Sequence, residues 1–372
     1  MAATDFGALQ DLQKKIWSLQ ISKQGRDESF FMSNGFMGAS TSDMNRPIQR
    51  ITELTETEKG TSAVLPLVTD LTGSGVVNDN QLEGNEEAIN TDVQTIRIDQ
   101  LRNGVKSKGK MSEQETVIRF RATAKDVLSF WLSDAIDELG FLTASGRAYT
   151  LNVDGSTRTL ASQWPQLSFA SDVVAGSTNR VIYAGSATSE GTLTAADKMT
   201  WNLVIKAKAF AKRKRIRGIR TGGKAYYILV LSTEQCRDLE QDADYKSIQA
   251  QAMPRGMDNP LFTNSKKVVG DVVIYDHTKV FTTLGLSAAA KWGAGGLVDG
   301  AQAMLMGAQA MGFCQLSSGD SYNESDNTDY NNRQGIAIGR IIGYLKPQYK
   351  SRYDAQSRED YGLVLLKTAA AA

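Results

Sequence analysis

The stretch ITELTETEKGTSAVLPLVTDLTGSGVVNDNQLEGNEEAINTDVQTIRIDQLRNGVKSKGK, residues 51–110, decides how this chain folds. An apolar run, SAVLPLV, leads into the polar VNDNQLEGNEE. After it TDVQTIRIDQL alternates, with Ile96 and Ile98 on one face and Arg97 and Asp99 on the other. Two strands joined by a long polar tip make an extended hairpin. A two-stranded ribbon is marginal in water by itself, so this one needs a surface to lie on. Its charges are segregated: Asp79, Glu83, Glu86, Glu87 and Asp92 have no base among them, and Arg102, Lys106, Lys108 and Lys110 have no acid. Such segregation is either a solvated tip or a means by which identical neighbours dock in one register. On the second reading Glu83, Glu86, Glu87, Arg97, Asp99, Arg102, Lys106, Lys108 and Lys110 are candidate intersubunit contacts.

The end of this stretch, residues 104–110, fits the first seven positions of a phosphate-binding loop. The eighth position needs a Ser or Thr hydroxyl for Mg²⁺ and is instead Met111. The strand before it also alternates where a phosphate loop follows a buried apolar strand. A basic surface strand or turn is therefore favoured, with nucleotide binding as the rival reading.

Downstream, Ala124, Leu128, Trp131, Ala135, Leu139 and Leu142 recur at helical spacing and predict a long helix with one apolar stripe, stopped near Ser145-Gly146. Asp126, Asp134 and Asp137 lie off the stripe and are expected in solvent. Asp134 and Glu138 stand one turn apart, but no His or third carboxylate is placed to complete a metal or acid/base site. Upstream, residues 1–50 hold Leu9, Leu12, Ile16 and Trp17 and then FFMSNGFMGASTSDMNRP. Aromatic yet aperiodic, this segment reads as an arm that needs a partner surface.

Residues 147–195 read as loops and irregular β-structure. A second helix is expected from Thr194, as N-cap, through AADKMTWNLVIKAKAFAKRK. Ten Lys or Arg and no acid fall between Lys198 and Lys224, densest at Lys212, Arg213, Lys214, Arg215 and Arg217. The cluster 206–220 is a candidate for phosphate contact, subunit contact or a solvated helix end. With Phe210 as its lone interleaved aromatic, it does not suit base stacking. From Ala225 the pattern turns α/β: strand YYILVLS, helix TEQCRDLEQDADYKSIQAQA, and strand VVIYD ending at His277, which is expected to be a solvated turn residue. AQAMLMGAQAMGF suits a buried strand or a short helix. The polar loop after it carries Asp320, Glu324, Asp326 and Asp329 without the order of a Ca²⁺ loop. The tail reads as two or three strands completing a sheet begun much earlier.

The inventory narrows the chemistry. With 42 Lys+Arg against 41 Asp+Glu in 372 residues, the chain has no global field, so any nucleic-acid contact must come from local patches. One His excludes an HExxH helix, and two Cys exclude a CxxC site or a disulfide framework, which places the chain in a reducing cytosol. Neither GxSxG nor GxGxxG occurs. No apolar run approaches the roughly 18 residues that span a bilayer, and the N-terminus lacks a signal-peptide layout. No cofactor, metal, catalytic residue or membrane is expected.

LEGNEEA and KGKMSEQ within the opening stretch and its continuation, the helix with Trp131, GGKAYY at 222–227, RGMDNPLF at 255–262, MLMGAQAM, AIGRIIGYLKP and EDYGLVLLKT occur in an order that resembles the major capsid proteins of N4-like tailed bacteriophages. The resemblance runs over residues 45–368. It implies an α+β chain of the Hong Kong 97-type capsid fold: an N-terminal arm (1–50), an extended β-hairpin loop (51–115), a peripheral domain with a long spine helix (116–215 and 331–372) and an axial domain (216–330). It further implies hexamers and pentamers that form an icosahedral shell around double-stranded DNA, found in the virion and assembled in the host cytoplasm. A separate scaffolding protein, a portal and a decoration or cement protein are the implied partners. The basic cluster would then be lumenal or at an interface. Lys-Asn cross-linking is not carried over, because no specific pair can be aligned. A nucleotide- or DNA-binding protein using 104–110 or 206–220 is the alternative.

Overall fold

The computed structural model describes residues 29–371 except 53, 55–59, 69–70, 72, 90, 109–119, 253–266, 317–319, 323–334 and 351–357. Phe30–Ser33 is a single helical turn (α1) and Ile48–Ile51 a short strand (β1). Ser62–Val68 (β2) and Thr91–Arg97 (β3) form the expected hairpin, Ser62 opposite Arg97 and Val68 opposite Thr91. Asp99–Lys106 (β4) leaves the ribbon, and Phe120–Ser145 (α2) is the long helix. Val181–Tyr183 (β5) lies among short 3-10 turns, as the reading of 147–195 implied. Trp201–Arg213 (α3), Ile219–Thr221 (β6), Lys224–Leu231 (β7), Thr233–Gln241 (α4) and Ala243–Ala252 (α5) follow. Lys267–Val269 (β8), Val272–Asp276 (β9), Gly300–Met306 (β10), Met311–Gln315 (β11) and Asp320–Tyr322 (β12) come next. Gly335–Leu345 (β13), Gln348–Lys350 (β14), Arg358–Asp360 (β15) and Leu363–Ala369 (β16) close the chain.

These strands build two main sheets. In the first, β13 pairs antiparallel with β4 on one edge and with β11 and β12 on the other, and β1 adds to β11 in parallel. In the second the order is β5-β16-β10-β7-β9-β8, with β6 folded back on β7. The tail therefore supplies both sheets: β13 joins the early strand β4, and β16 sits between β5 and β10. AQAMLMGAQAMGF is neither one strand nor a helix but two strands, β10 and β11, one in each sheet.

Helix α2 lies on β13, where the Tyr344 hydroxyl donates to the Ile136 carbonyl at 3.0 Å. Ala124, Leu128, Ala135, Leu139 and Leu142 are buried as the stripe required, while Trp131 is half-buried at its margin. From Leu132 onward the buried face widens to take in Ile136, Phe141 and Ala144, and the arm's Phe30 and Phe31 pack on Phe141. Gly140 permits the close approach of arm and sheet there, since a Cβ would stand 2.7 Å from Phe31 and 3.4 Å from Tyr344.

Four expectations are corrected. Thr194 does not cap the second helix: its N–H and hydroxyl both donate to Asp197, and Thr200 caps α3 by accepting from the Leu203 N–H. The single helix expected over 233–252 breaks at Asp242, whose backbone turns extended and whose carboxylate accepts from the Trp201 N–H at 2.7 Å. Asp137 is buried, not solvated, and accepts from the Ser29 hydroxyl at 2.6 Å and the Phe30 N–H at 2.7 Å. Finally, the aromatic part of the arm finds its surface on its own chain. Phe31 and Phe36 are fully packed, with Phe31 4.7 Å from Phe141 and Phe36 5.0 Å from Tyr275. Residues 1–28 of the arm lie outside the described residues.

Candidate assembly surface

The hairpin stands on a small core of its own at its base, where Ile51, Ala63, Ile96, Ile98, Cys314 and Leu345 are buried together. Period two puts Ala63, Leu65 and Leu67 on the face toward this base and Val64, Pro66 and Val68 on the other. Across the ribbon, Val64 pairs with Thr95 and Pro66 with Val93, so the outward face is apolar at its centre. Val64 is 60% exposed and Val68 61%. With Leu71, Val77, Leu82, Ile89 and Val93, the segment 64–93 holds seven of the fourteen exposed large hydrophobic side chains among the described residues. Isolated exposed hydrophobics need no explanation, but a concentration of this kind marks a surface that binds.

At the tip, Asp79, Glu83 and Glu86 are exposed and Glu87 is half-buried. Glu86 accepts from the Gly84 N–H at 2.7 Å and Glu87 from the Gly73 N–H at 2.5 Å, which tightens the tip around its own acids. Asp92, counted with this acidic run, is engaged at home. It accepts from Arg358 and from the Lys350 N–H, both at 3.0 Å. Burial raises its pKa, but the Lys350 and Val93 amides and the Arg358 guanidinium outweigh that and hold it below the usual carboxylate value.

The other candidate contacts divide. Arg97 pairs with Asp172 at 3.1 Å, and Asp99 accepts from the Ser168 N–H at 2.7 Å; both tie the hairpin base to its own chain. Arg102, Lys106 and Lys108 are exposed along and just beyond β4, an edge strand that pairs with β13 alone among the described strands. Charged side chains on such an edge discourage indiscriminate strand addition. Lys110 lies outside the described residues, as do Glu324, Asp326 and Asp329. Gly104 to Lys106 lie in β4 opposite Gly335–Ala337, so this part of the near-match is a strand and offers no loop to cradle a phosphate.

In the basic cluster, Lys212, Arg213, Arg215 and Arg217 are exposed and Lys214 is half-buried. Lys212 lies 3.7 Å from Asp271, a weak exposed pair, and Arg213 covers the Phe210 ring at 5.5 Å. Among the described residues no group of three His, Cys, Asp or Glu is placed to hold a metal ion, and no helix is long and apolar enough to cross a membrane. Glu138 pairs with Arg158, and Asp134 with Lys279, so the two carboxylates face separate cations.

His277 is not a solvated turn residue. Its ring stacks on Phe141 at 4.9 Å and contacts Phe30 at 4.4 Å, joining arm, α2 and the end of β9. Burial, reinforced by Lys279 and opposed by Asp276 and Asp134, pulls its pKa down to about 4. The unfolded chain therefore binds a proton from about pH 6.5 downward that the folded one refuses until about pH 4. Stability from this group is complete above pH 6.5 and is lost as the pH falls through that window. Discounted for the ring's partial exposure, the loss is about 2 kcal/mol. Burial raises the Asp137 carboxyl, against the Ser29 and Phe30 hydrogen bonds, and this acts in the opposite sense. Comparing urea midpoints of wild type and His277→Phe at pH 7 and pH 4.5 subtracts that contribution. The wild-type drop should exceed the variant's by ~2 kcal/mol.

Comparisons with known proteins agree with this arrangement. The family model described as phage capsid protein matches residues 5–372. The major capsid protein of Pseudomonas phage KPP25 is 40% identical over 377 residues, covering 99% of this chain and 98% of that protein. Among solved structures, the capsid of Ralstonia phage GP4 superposes with a TM-score of 0.76 at 25% identity, covering 93% of this chain and 92% of that one. The capsid asymmetric unit of cyanophage Pam1 gives 0.72 at 19% identity, with 93% of each chain covered.

Proposed function

This chain belongs to the phage capsid protein family and is a major capsid protein of the Hong Kong 97-type fold, and from that premise we propose how its surfaces build a shell. Copies join into hexamers and pentamers of an icosahedral shell enclosing double-stranded DNA, and the hairpin of each copy supplies the principal contact. The observation that carries this is the concentration of exposed hydrophobic side chains between Val64 and Val93, on a ribbon too small to be stable alone. The acidic tip sets the register of that contact, because a like-charged approach is costly while a basic surface accepts it.

In this reading the first sheet with α2 carries the peripheral domain (116–215 and 331–372) and the second sheet the axial domain (216–330), with β5 and β16 crossing into the second sheet and β11 and β12 into the first. The role is structural, with no catalytic step. Scaffolding, portal and cement proteins would be separate chains, assembly would take place in the host cytoplasm, and membership of the N4-like subgroup rests on the sequence motifs. Lys212, Arg213, Arg215 and Arg217, with the half-buried Lys214 among them, suit non-specific contact with packaged DNA, since exposed cations without interleaved aromatics bind backbone phosphate and not bases.

The test is to reverse Glu83, Glu86 and Glu87 to Lys. All three lie outside the two hydrophobic cores, so the monomer should keep its circular dichroism spectrum and denaturation midpoint. Electron microscopy should then show shells from wild type and none from the variant. Wild-type yields of shells from the variant would rule the reading out.

A further inference from the structure

The end of α2 meets the second sheet where Gln302 of β10 donates to the Ser145 carbonyl at 2.7 Å, and beside this junction lies a cavity of about 380 Å³. One wall is the segment after α2, with Arg147, Leu151 and Glu190; the other is the segment between β9 and β10, with Leu286, Lys291 and Trp292. The charges around it do not balance. Arg147 at 2.7 Å and Lys367 at 2.6 Å donate to the same Glu190 oxygen, Oε1, so one carboxylate serves two cations. Lys291 pairs with Asp299 at 2.5 Å, which leaves three cations against two acids. Burial lowers the pKa of Lys367; Glu190 opposes the shift and Arg147 adds to it, as expected where negative charge is short.

The polar atoms left over are mostly donors. Arg147 spends one nitrogen, Nη2, on Glu190 and Gln302, while its Nη1 and Nε have no acceptor among the described residues. Trp292 is 5% exposed, yet its indole N–H also lacks an acceptor there. Against these donors stands the second oxygen of Glu190. The indole is held in place: the Trp292 backbone exchanges hydrogen bonds with Val298 at 3.0 and 2.8 Å, and its ring lies so close over Gly300 that a Cβ there would stand 1.9 Å from it. Arg147 is steadied in turn by Phe281, whose ring its guanidinium covers at 4.5 Å.

Going beyond the assembly reading and independent of it, we propose that this cavity binds a small organic oxyanion, its carboxylate or phosphate group held by Arg147, Lys291 and the Trp292 indole and its apolar body against Leu151 and Leu286. The anion supplies the missing negative charge, and the planar guanidinium can meet two of its oxygens at once. Arg, Lys and Trp side chains have no lone pair to offer a metal ion, so the same donor set turns a cation away. The size points to a small ligand, since pockets for small molecules run from roughly 300 to 1,000 Å³ and this one stands near the lower end. Because its two walls belong to segments far apart in sequence, a bound anion ties the end of α2 to the connection before β10, and it stabilises the fold by mass action.

Isothermal titration calorimetry on the full-length unassembled chain tests it, with benzoate and phenylphosphonate as probes and benzamide, the uncharged isostere of benzoate, as control. At least one oxyanion should bind with a dissociation constant of about 1 mM or tighter, and benzamide at least tenfold more weakly. Stronger binding of benzoate assigns a carboxylate ligand, and stronger binding of phenylphosphonate a phosphate. Arg147→Gln should weaken binding tenfold or more. Lys291→Met, at a more exposed position, guards against an Arg147 variant that fails to fold: with its circular dichroism spectrum unchanged, it should still bind at least threefold more weakly than wild type. No saturable binding of either oxyanion up to about 10 mM overturns the proposal. So does benzamide binding as tightly as benzoate, or a folded Lys291→Met chain binding as wild type does. None of these results bears on shell formation, which electron microscopy of the wild type reads separately.

Discussion

Asp360→Ala is expected to cost about 3–5 kcal/mol of folding stability, the range for removing one partner of a buried ion pair. Asp360 and Lys346 are both 0% exposed and lie 3.2 Å apart. The same carboxylate accepts from Gln348 at 2.7 Å and from the Ser177 N–H at 3.1 Å, so it gathers β14, β15 and the turn before β5. Beside it Arg180 pairs with Glu359 at 3.1 Å, also buried. Burial lowers the pKa of Lys346, and the attraction and hydrogen bond of Asp360 oppose that shift. Without Asp360 the folded chain would hold a buried cation with no counter-charge, and folding would favour the neutral amine. The lost stability should then return partly as pH rises, because the unfolded chain keeps a proton that the folded one sheds. Urea denaturation of the unassembled protein measures the loss, and adding Lys346→Met should recover most of it. A loss below 1 kcal/mol would show the pair to be dispensable.

Gly343→Ala should be the most damaging single methyl group for assembly. A Cβ at Gly343 would stand 2.1 Å from the Arg97 carbonyl oxygen and 3.1 Å from Ile98. The obstacle is backbone, which cannot rotate away as a side chain does. Either β13 or the β3–β4 junction must move, at a cost of roughly 1–3 kcal/mol or more. That junction is where the ribbon leaves the sheet, so a small tilt there swings the far end of two strands about 24 Å long. Shells should be absent by electron microscopy even where the denaturation midpoint shows a folded chain. Normal shells from this variant would mean that the hairpin direction is not fixed at its base.

Much of this architecture could be read from local pattern. Alternation at 93–99 gave the ribbon, and the spacing of Ala124, Leu128, Ala135 and Leu139 gave the helix and its sheet-facing side. What pattern could not carry was any contact whose partner is distant in sequence. Asp137 looks solvated until Ser29 and Phe30, more than a hundred residues earlier, arrive on it. Lys346 and Asp360 carry no sign of burial in the sequence, since neither partner in a buried pair announces it. Thr194 and Thr200 are equally good caps by type, and only Asp197, bonding back to Thr194, tells them apart. Among the candidate contacts, exposure kept Glu83, Glu86, Arg102, Lys106 and Lys108 in play, while Arg97 and Asp99 found partners at home.

The position of β16 also bears on when a subunit becomes competent. Residues 363–369 lie inside the second sheet, between β5 and β10, so that sheet stays split until synthesis has passed residue 369, more than two hundred residues after the ribbon. The long helix and the ribbon emerge far earlier, but strand pairings this remote in sequence are closed last and slowly. A product truncated before β16 would carry a ribbon seated on its base, which is complete by Leu345, but an unfinished second sheet. Seating the ribbon and completing the body are therefore separate events in the order of synthesis.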